Sequence, residues 1–373
     1  MRSLLKSTTL AVAGAVALGV AVAGPAQAQT DLVVVSWGGA YSASQQKAYH
    51  DPYMAANPGI TILNDDSANE GLAKLRAQVE SGNVTWDLVD MEAPEAIIAC
   101  DEGLVLEIDP DTDLAPADDG TPASEDFLEG SLTPGESNCF IPQIVYSTTF
   151  GYRTDKVGGQ PPTSINDVFD LEKYPGKRSL QKKPIGNLEW ALIADGVDPN
   201  EIYEVLETPE GVDRAFAKLD TIKDHVVWWV EGAQPAQLLA DGEVIMASGY
   251  NGRLFSAIVE ESQPIAMLWD WQVLNLDGWV IPADGKNIDE VWKLVRFATD
   301  TQRLADQAKY ISYGPLRKSS AAKVGTHAEL GIDMGPHMPT NAENAKNSLI
   351  NNYTWWADNR GSLDERFNAW LAK

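Results

Sequence analysis

Leu32-Val33-Val34-Val35-Ser36-Trp37-Gly38-Gly39 decides the fold. A run this apolar, with no alternation, reads as a strand buried on both faces, and the two glycines as the turn that ends it. The spacing beyond predicts a helix over 42–56, capped by Ser42 and stopped at Asn57-Pro58-Gly59. A second strand follows over 60–63, then a helix over 71–81 with Leu72, Leu75 and Val79 on one face, then a third strand over 87–91. A βαβαβ order in so short a span predicts an α/β fold, with a mostly parallel sheet covered by helices on both sides.

The pattern resumes downstream. Residues 140–152 are apolar and long enough to run from one lobe into another, and 209–223 form an amphipathic helix with Val212, Phe216, Leu219 and Ile222 on its stripe. Residues 244–247, 266–269 and 278–282 read as three further strands, and 287–299 as a helix opened by an Asn287/Glu290 capping box.

The N-terminus decides where the chain works. Arg2 and Lys6 precede an apolar run over 10–24, closed by the small-x-small Ala26-Gln27-Ala28, which is a secretory leader with cleavage expected after Ala28. That run is short of the roughly 20 residues a spanning helix needs. The residues after it exceed the roughly 250–300 at which one hydrophobic core stops growing, so two lobes are expected. The formal charge is −26, and losing Arg2 and Lys6 makes it more negative still. Such a surface excludes nucleic acid and anionic lipid as partners, because their binding rests on Lys and Arg neutralising phosphates.

The acid is concentrated where no Lys or Arg occurs, between Arg76 and Arg153. Asp109-Pro-Asp111-Thr-Asp113 imitates the start of a calcium loop, but Leu114 stands where the turn needs Gly and Gly120 where the bidentate Glu belongs, so no metal is expected. Cys100 and Cys139 are an even pair, expected to be bridged in an oxidising compartment. Their spacing suits neither zinc nor thiol redox chemistry.

No nucleophile elbow, zinc-protease motif, phosphate loop or dinucleotide fingerprint is present, and the four histidines lie far apart. An exported two-lobed α/β chain without such signatures points to a binding module that closes on a small solute, needing no cofactor. A secreted hydrolase is the weaker class; its triad would be assembled only in space.

Six stretches then fall in order: Val35-Ser36-Trp37-Gly38-Gly39, Ala73-Lys74-Leu75-Arg76 before Trp86-Asp87-Leu88-Val89, Tyr174-Pro175-Gly176-Lys177, Ala240-Asp241-Gly242-Glu243-Val244, Gly249-Tyr250-Asn251-Gly252-Arg253 and Asp277-Gly278-Trp279-Val280-Ile281-Pro282. Together they resemble the periplasmic spermidine/putrescine-binding proteins of ABC importers. The resemblance implies the type II periplasmic-binding-protein fold, with the solute in a cleft between lobes joined by crossing strands. It implies a first lobe of 29–147 plus 278–324, a second of 148–277 plus 325–373, and crossings near 145–150 and 276–279. It also implies a monomer that delivers a small amine or amino-acid ligand from the periplasm to an inner-membrane ABC permease.

The candidate ligand contacts are Trp37, Gly39, Glu92, Tyr146, Tyr250, Arg253 and Asp277. Aromatic faces and a carboxylate are what an alkylammonium group needs in exchange for water. By the resemblance Trp37 and Tyr250 supply faces and Asp277 takes the amine. Gly38-Gly39 would let backbone approach the ligand. Asp277 interrupts an apolar stretch, so it either meets a ligand or sits in a structural salt bridge. Two departures stand out. Gln181-Lys182-Lys183-Pro184 replaces carboxylates that would serve a second amine, and Asn275 replaces an aromatic. Arg253 adds a cation suited to a carboxylate. The expected ligand is therefore a polyamine if Arg253 pairs with an acid such as Glu92, and a zwitterion such as 4-aminobutyrate if it faces the ligand.

Overall fold

Leu32, Val34 and Val35 are fully buried, as a central strand of a covered sheet requires. The computed structural model describes residues 29–373, so the leader expected over 1–28 lies outside the described residues. Strand β1 (Thr30–Val35) lies parallel between β2 (Ile60–Asp65) and β3 (Leu88–Glu92). Two long strands follow in the chain's middle: β4 (Ile141–Arg153) and, far downstream, its antiparallel partner. Between them, β5 (Arg178–Gln181) lies parallel between β6 (Val226–Trp229) and β7 (Met246–Tyr250), which repeats the arrangement around β1. The partner of β4 is β8 (Ile265–Val280). These two join both halves into one mixed sheet ordered β2-β1-β3-β8-β4-β7-β5-β6, to which β9 (Gly314–Pro315) and β10 (Ser348–Ile350) add at β4 and β8.

Each half has its own core. Leu32, Ile141, Trp279 and Leu294 belong to one, and Leu180, Trp190, Leu192 and Trp356 to the other. The helix Tyr353–Leu371 contributes Trp355, Trp356, Phe367 and Trp370 to the second core. No helix among the described residues is long and apolar enough to cross a membrane.

Three local expectations need correction. Residues 266–269 and 278–282 are not separate strands: 265–280 is one strand, and the polar residues that broke the pattern, Gln272, Asn275 and Asp277, are buried within it. Its ladder with β4 steps from Val273↔Thr148 to Leu268↔Phe150, leaving 269–272 bulged out, with Trp271 at φ 52°. Bulges of this kind bend a strand and sharpen its twist. The first helix starts at Gly39 rather than beyond Ser42, because Gly38 and Gly39 adopt φ of 74° and 59° and make the turn immediately. The Ser42 Oγ instead accepts a hydrogen bond from the Gly38 N–H at 2.8 Å. Finally, Asn287 does not cap the helix Ile288–Ala298; its amide reaches away to Asp31 O and Asp87 Oδ1, at 3.2 and 3.0 Å.

Cys100 and Cys139 are disulfide-bonded, with Cα atoms 5.7 Å apart. The bridge ties the end of helix Ala93–Asp101, which follows β3 directly, to the residue two before β4. The carboxylates of the calcium-like stretch are spent on backbone: Asp109 accepts from the Asp111 N–H and Asp113 from the Asp109 N–H.

Candidate functional site

The register of β8 sets the chemistry. Asp277 stands opposite Glu92 of β3 on one side and opposite Ile144 of β4 on the other. Paired residues project to the same face, and like charges placed directly opposite each other destabilise an antiparallel pair. Two carboxylates side by side on a buried face therefore call for a proton or a cation between them.

Other elements converge on this face. Trp37 follows β1, and its indole Nε1 donates to Asp277 Oδ2 at 3.0 Å. Tyr146 of β4 donates from its hydroxyl to Glu92 Oε1 at 2.7 Å. Tyr250 ends β7, packs edge-on against Tyr146 with ring centres 5.3 Å apart, and accepts from Gln181 Nε2 at 3.0 Å. One helical turn on, Arg253 reaches across from the second half of the sheet. Its Nη2 donates to both Trp37 O and Gly38 O at 3.1 Å. Two glycines make room for that guanidinium: a Cβ at Gly39 would lie 2.7 Å from Arg253 Nη1, and one at Gly232 would lie 2.9 Å from Arg253 Nε.

The result is a pocket of about 410 Å³, counting its mouth, lined by Trp37, Glu92, Tyr146, Tyr250, Arg253 and Asp277 together with flanking residues. Six of the seven residues expected from sequence meet there; Gly39 lies behind Arg253 instead and acts through the space it leaves. Asp277 is not at a strand end as its neighbours are, but three residues inside β8. Among the described residues neither Asp277 nor Arg253 is in an ion pair, and Asp277 Oδ1 and Arg253 Nε are buried without a protein partner. Buried, unpaired polar groups cost free energy comparable to a lost hydrogen bond, and more when charged.

Sequence reasoning missed Tyr41, Asn69, Ile144, Gly232 and Tyr313, which also line the pocket. Gly232 carried a signal, a glycine three residues beyond a Trp-Trp strand end; Asn69 carried none. Asn275 turns aside to accept from Asn351 Nδ2 at 2.7 Å and lines a second, narrower space of about 310 Å³, counting the open solvent at its mouth, with Gln181 and Lys183. Glu92, Tyr146 and Tyr250 line both chambers.

Burial pushes the Asp277 carboxyl well above the ordinary range, reinforced by the neighbouring charges of Asp90 and Glu92 and opposed by Trp37 and Tyr41. Burial likewise pushes Asp90 up to about 7, against hydrogen bonds from Gln45 and Gln143. The Tyr146 hydroxyl is raised too, by burial first and Glu92 second, so it stays a neutral donor.

Comparison with known proteins points the same way. Residues 48–340 match the family described as bacterial extracellular solute-binding protein. A gamma-aminobutyric acid-binding protein of Pseudomonas aeruginosa is 37% identical over 356 residues, 95% of each chain. A spermidine/putrescine-binding periplasmic protein of Salmonella typhimurium is 24% identical over 185 residues, 46% of this chain and 48% of that one. Among solved structures, the periplasmic binding protein MotA of A. tumefaciens B6 in complex with glucopine superimposes with TM-score 0.80 at 30% identity, covering 92% of this chain and 100% of that one. A GABA receptor superimposes with TM-score 0.76 at 32% identity, covering 92% and 98%. These relatives are solute-binding proteins, not enzymes.

Proposed function

Because this chain belongs to the bacterial extracellular solute-binding proteins, the receptors of ABC importers, we propose that its solute is a short zwitterion such as 4-aminobutyrate. Asp277 and Glu92 hold the ammonium beside the faces of Trp37, Tyr146 and Tyr250. Each such face is worth roughly 0.5–2 kcal/mol to a cation. Arg253 takes the carboxylate through its unpartnered Nε–H, a charge-assisted hydrogen bond, while its Nη2 stays on the two carbonyls. The mature protein works in the periplasm and hands the closed, loaded form to its permease.

The observation that carries this reading is the pairing of unsatisfied atoms in one pocket: Asp277 Oδ1 of an acid and Arg253 Nε of a base, neither with a hydrogen-bond partner within the protein. The likeness over 95% of the chain to a gamma-aminobutyric acid-binding protein supports the zwitterion over the polyamine that the sequence resemblance put first. A diamine remains the second reading, favoured by the Glu92↔Asp277 pair and opposed by the guanidinium in the same pocket. We place the hinge where β4 and β8 change register, around Thr148 and 268–273, which sets the boundary on β8 ahead of the 277/278 expected from sequence and leaves Asp277 in the same lobe as Glu92.

Calorimetry and thermal shift on ligand-stripped protein test the proposal with 4-aminobutyrate, putrescine and spermidine. A ligand at 100 times its Kd adds about 2.7 kcal/mol of stability. The expected result is a response to 4-aminobutyrate and a weaker one, or none, to the polyamines; the reverse ranking overturns the zwitterion.

A further inference from the structure

The second chamber is the feature this reading leaves unused. It is walled by Thr148, Gln181, Lys183, Gly186, Val273 and Asn275, and it opens beside the first across the shared residues Glu92, Tyr146 and Tyr250. Its polar lining comes from the very segment, Gln181-Lys182-Lys183-Pro184, that departs from a polyamine site. Lys183 forms no ion pair within 4 Å among the described residues, although its charge is felt at Asp364. Its position is fixed by backbone: the Lys183 carbonyl accepts from Asn187 Nδ2 at 2.7 Å, and the Gln181 carbonyl accepts from the same amide at 2.7 Å. Arg253 and Asp277 thus line the first of two adjoining spaces and Lys183 the second, with Glu92 shared between them.

Resting on the zwitterion reading, we infer that the site also takes a secondary ammonium flanked by two acid-bearing arms. A primary ammonium has three N–H bonds and one carbon substituent, so it fills one chamber. A secondary ammonium has two N–H bonds and two carbon arms. Placed at the junction, it directs its N–H bonds to Asp277 and Glu92, which the β3–β8 register sets opposite each other. One arm then runs into the first chamber and brings a carboxylate to Arg253. The other runs past Tyr146 and Tyr250 and brings a second carboxylate to Lys183, with Gln181 and Asn275 beside it. Charge is balanced along the ligand: two cations meet two carboxylates, and two acids meet one ammonium together with the proton that burial favours on Asp277. Lys183 is the specificity-determining residue in this arrangement, because no other cation lines the second chamber.

The test uses the full mature chain, stripped of co-purified ligand, titrated calorimetrically with 4-aminobutyrate and with 4,4′-iminodibutyrate, a secondary amine carrying two butyrate arms. Wild type, Lys183→Ala and Lys183→Arg are compared. The expected result is that both compounds bind wild type, that Lys183→Ala weakens iminodibutyrate about tenfold or more while 4-aminobutyrate changes less than about threefold, and that Lys183→Arg restores the loss. Binding of 4-aminobutyrate with no binding of iminodibutyrate overturns this inference and leaves the zwitterion reading intact. Silence of both compounds overturns the zwitterion reading and this inference with it. An equal loss of both in Lys183→Ala overturns the role given to Lys183.

Discussion

The two ends of the pocket carry opposite charges, and the protein builds them in opposite ways. Asp277 is set by sheet register, in the middle of a strand, with Glu92 beside it and the disulfide-anchored helix Ala93–Asp101 directly after that neighbour. Arg253 sits in the first turn of the helical segment 251–260 after β7 and is held by two carbonyl oxygens that belong to the other half of the molecule. On the proposed hinge, the acid end is formed whether or not the lobes are closed, and the basic end is completed only when they meet. A ligand bridging the two reads out closure, because the interactions it gains at Arg253 differ between open and closed states.

The contrast can be broken most severely at the acid end. Replacing Cys100 and Cys139 together by Ala removes a bridge closing a loop of 39 residues, and loss of a native disulfide typically costs about 2–5 kcal/mol. Chemical denaturation should show that loss, while the Kd for 4-aminobutyrate in the folded fraction shifts little, since neither Cys lines the pocket. The basic end comes next. Arg253→Ala should weaken 4-aminobutyrate by about 1.5–3 kcal/mol, the range for a hydrogen bond to a charged group, and leave putrescine unchanged or improved. An equal loss for both ligands would assign Arg253 to closure alone.

Asp277→Asn sharpens the comparison, because its two effects have opposite signs. The ammonium loses the buried acid that can ionise to meet it, so affinity should fall by about tenfold or more. The ligand-free protein should become more stable, since a buried acid that resists ionising is replaced by an amide of the same shape. A smaller effect is expected of Trp37→Phe, which keeps an aromatic face but deletes the donor 3.0 Å from Asp277; about 0.5–1.5 kcal/mol of affinity is at stake. A pH slope completes the set. Asp90 and Asp277 have folded-state pKa values above their ordinary 3.8. The stability they allow is therefore fully present below pH 3.8 and is lost as pH rises toward the raised values, about 7 for Asp90. Thermal melts without ligand should decline across that window, and saturating 4-aminobutyrate should flatten the decline.

Much of this was legible in sequence where one local rule governed. The apolar run at Leu32–Val35, the glycine turn after it and the length of β4 needed no tertiary information to read. Trp37 and Tyr250 were expected from the family resemblance and Arg253 as a departure from it, and the three line one pocket. What escaped depended on partners distant in the chain. β8 was divided because its polar residues look like a loop until their ladder on β4 is known. Asn287 resembled a cap until Asp87, 200 residues away, competed for its amide. Whether Arg253 would face an acid or a ligand also turned on three-dimensional proximity, since its partners are backbone carbonyls, which no side-chain pattern reveals.

A crystal structure of the stripped protein soaked with 4-aminobutyrate tests the dipolar pocket most directly. The ammonium should lie within hydrogen-bond reach of Asp277 Oδ1 and Glu92, against Trp37, with the carboxylate on Arg253 Nε. A carboxylate found elsewhere, with Arg253 still bound only to the Trp37 and Gly38 carbonyls, would contradict the assignment.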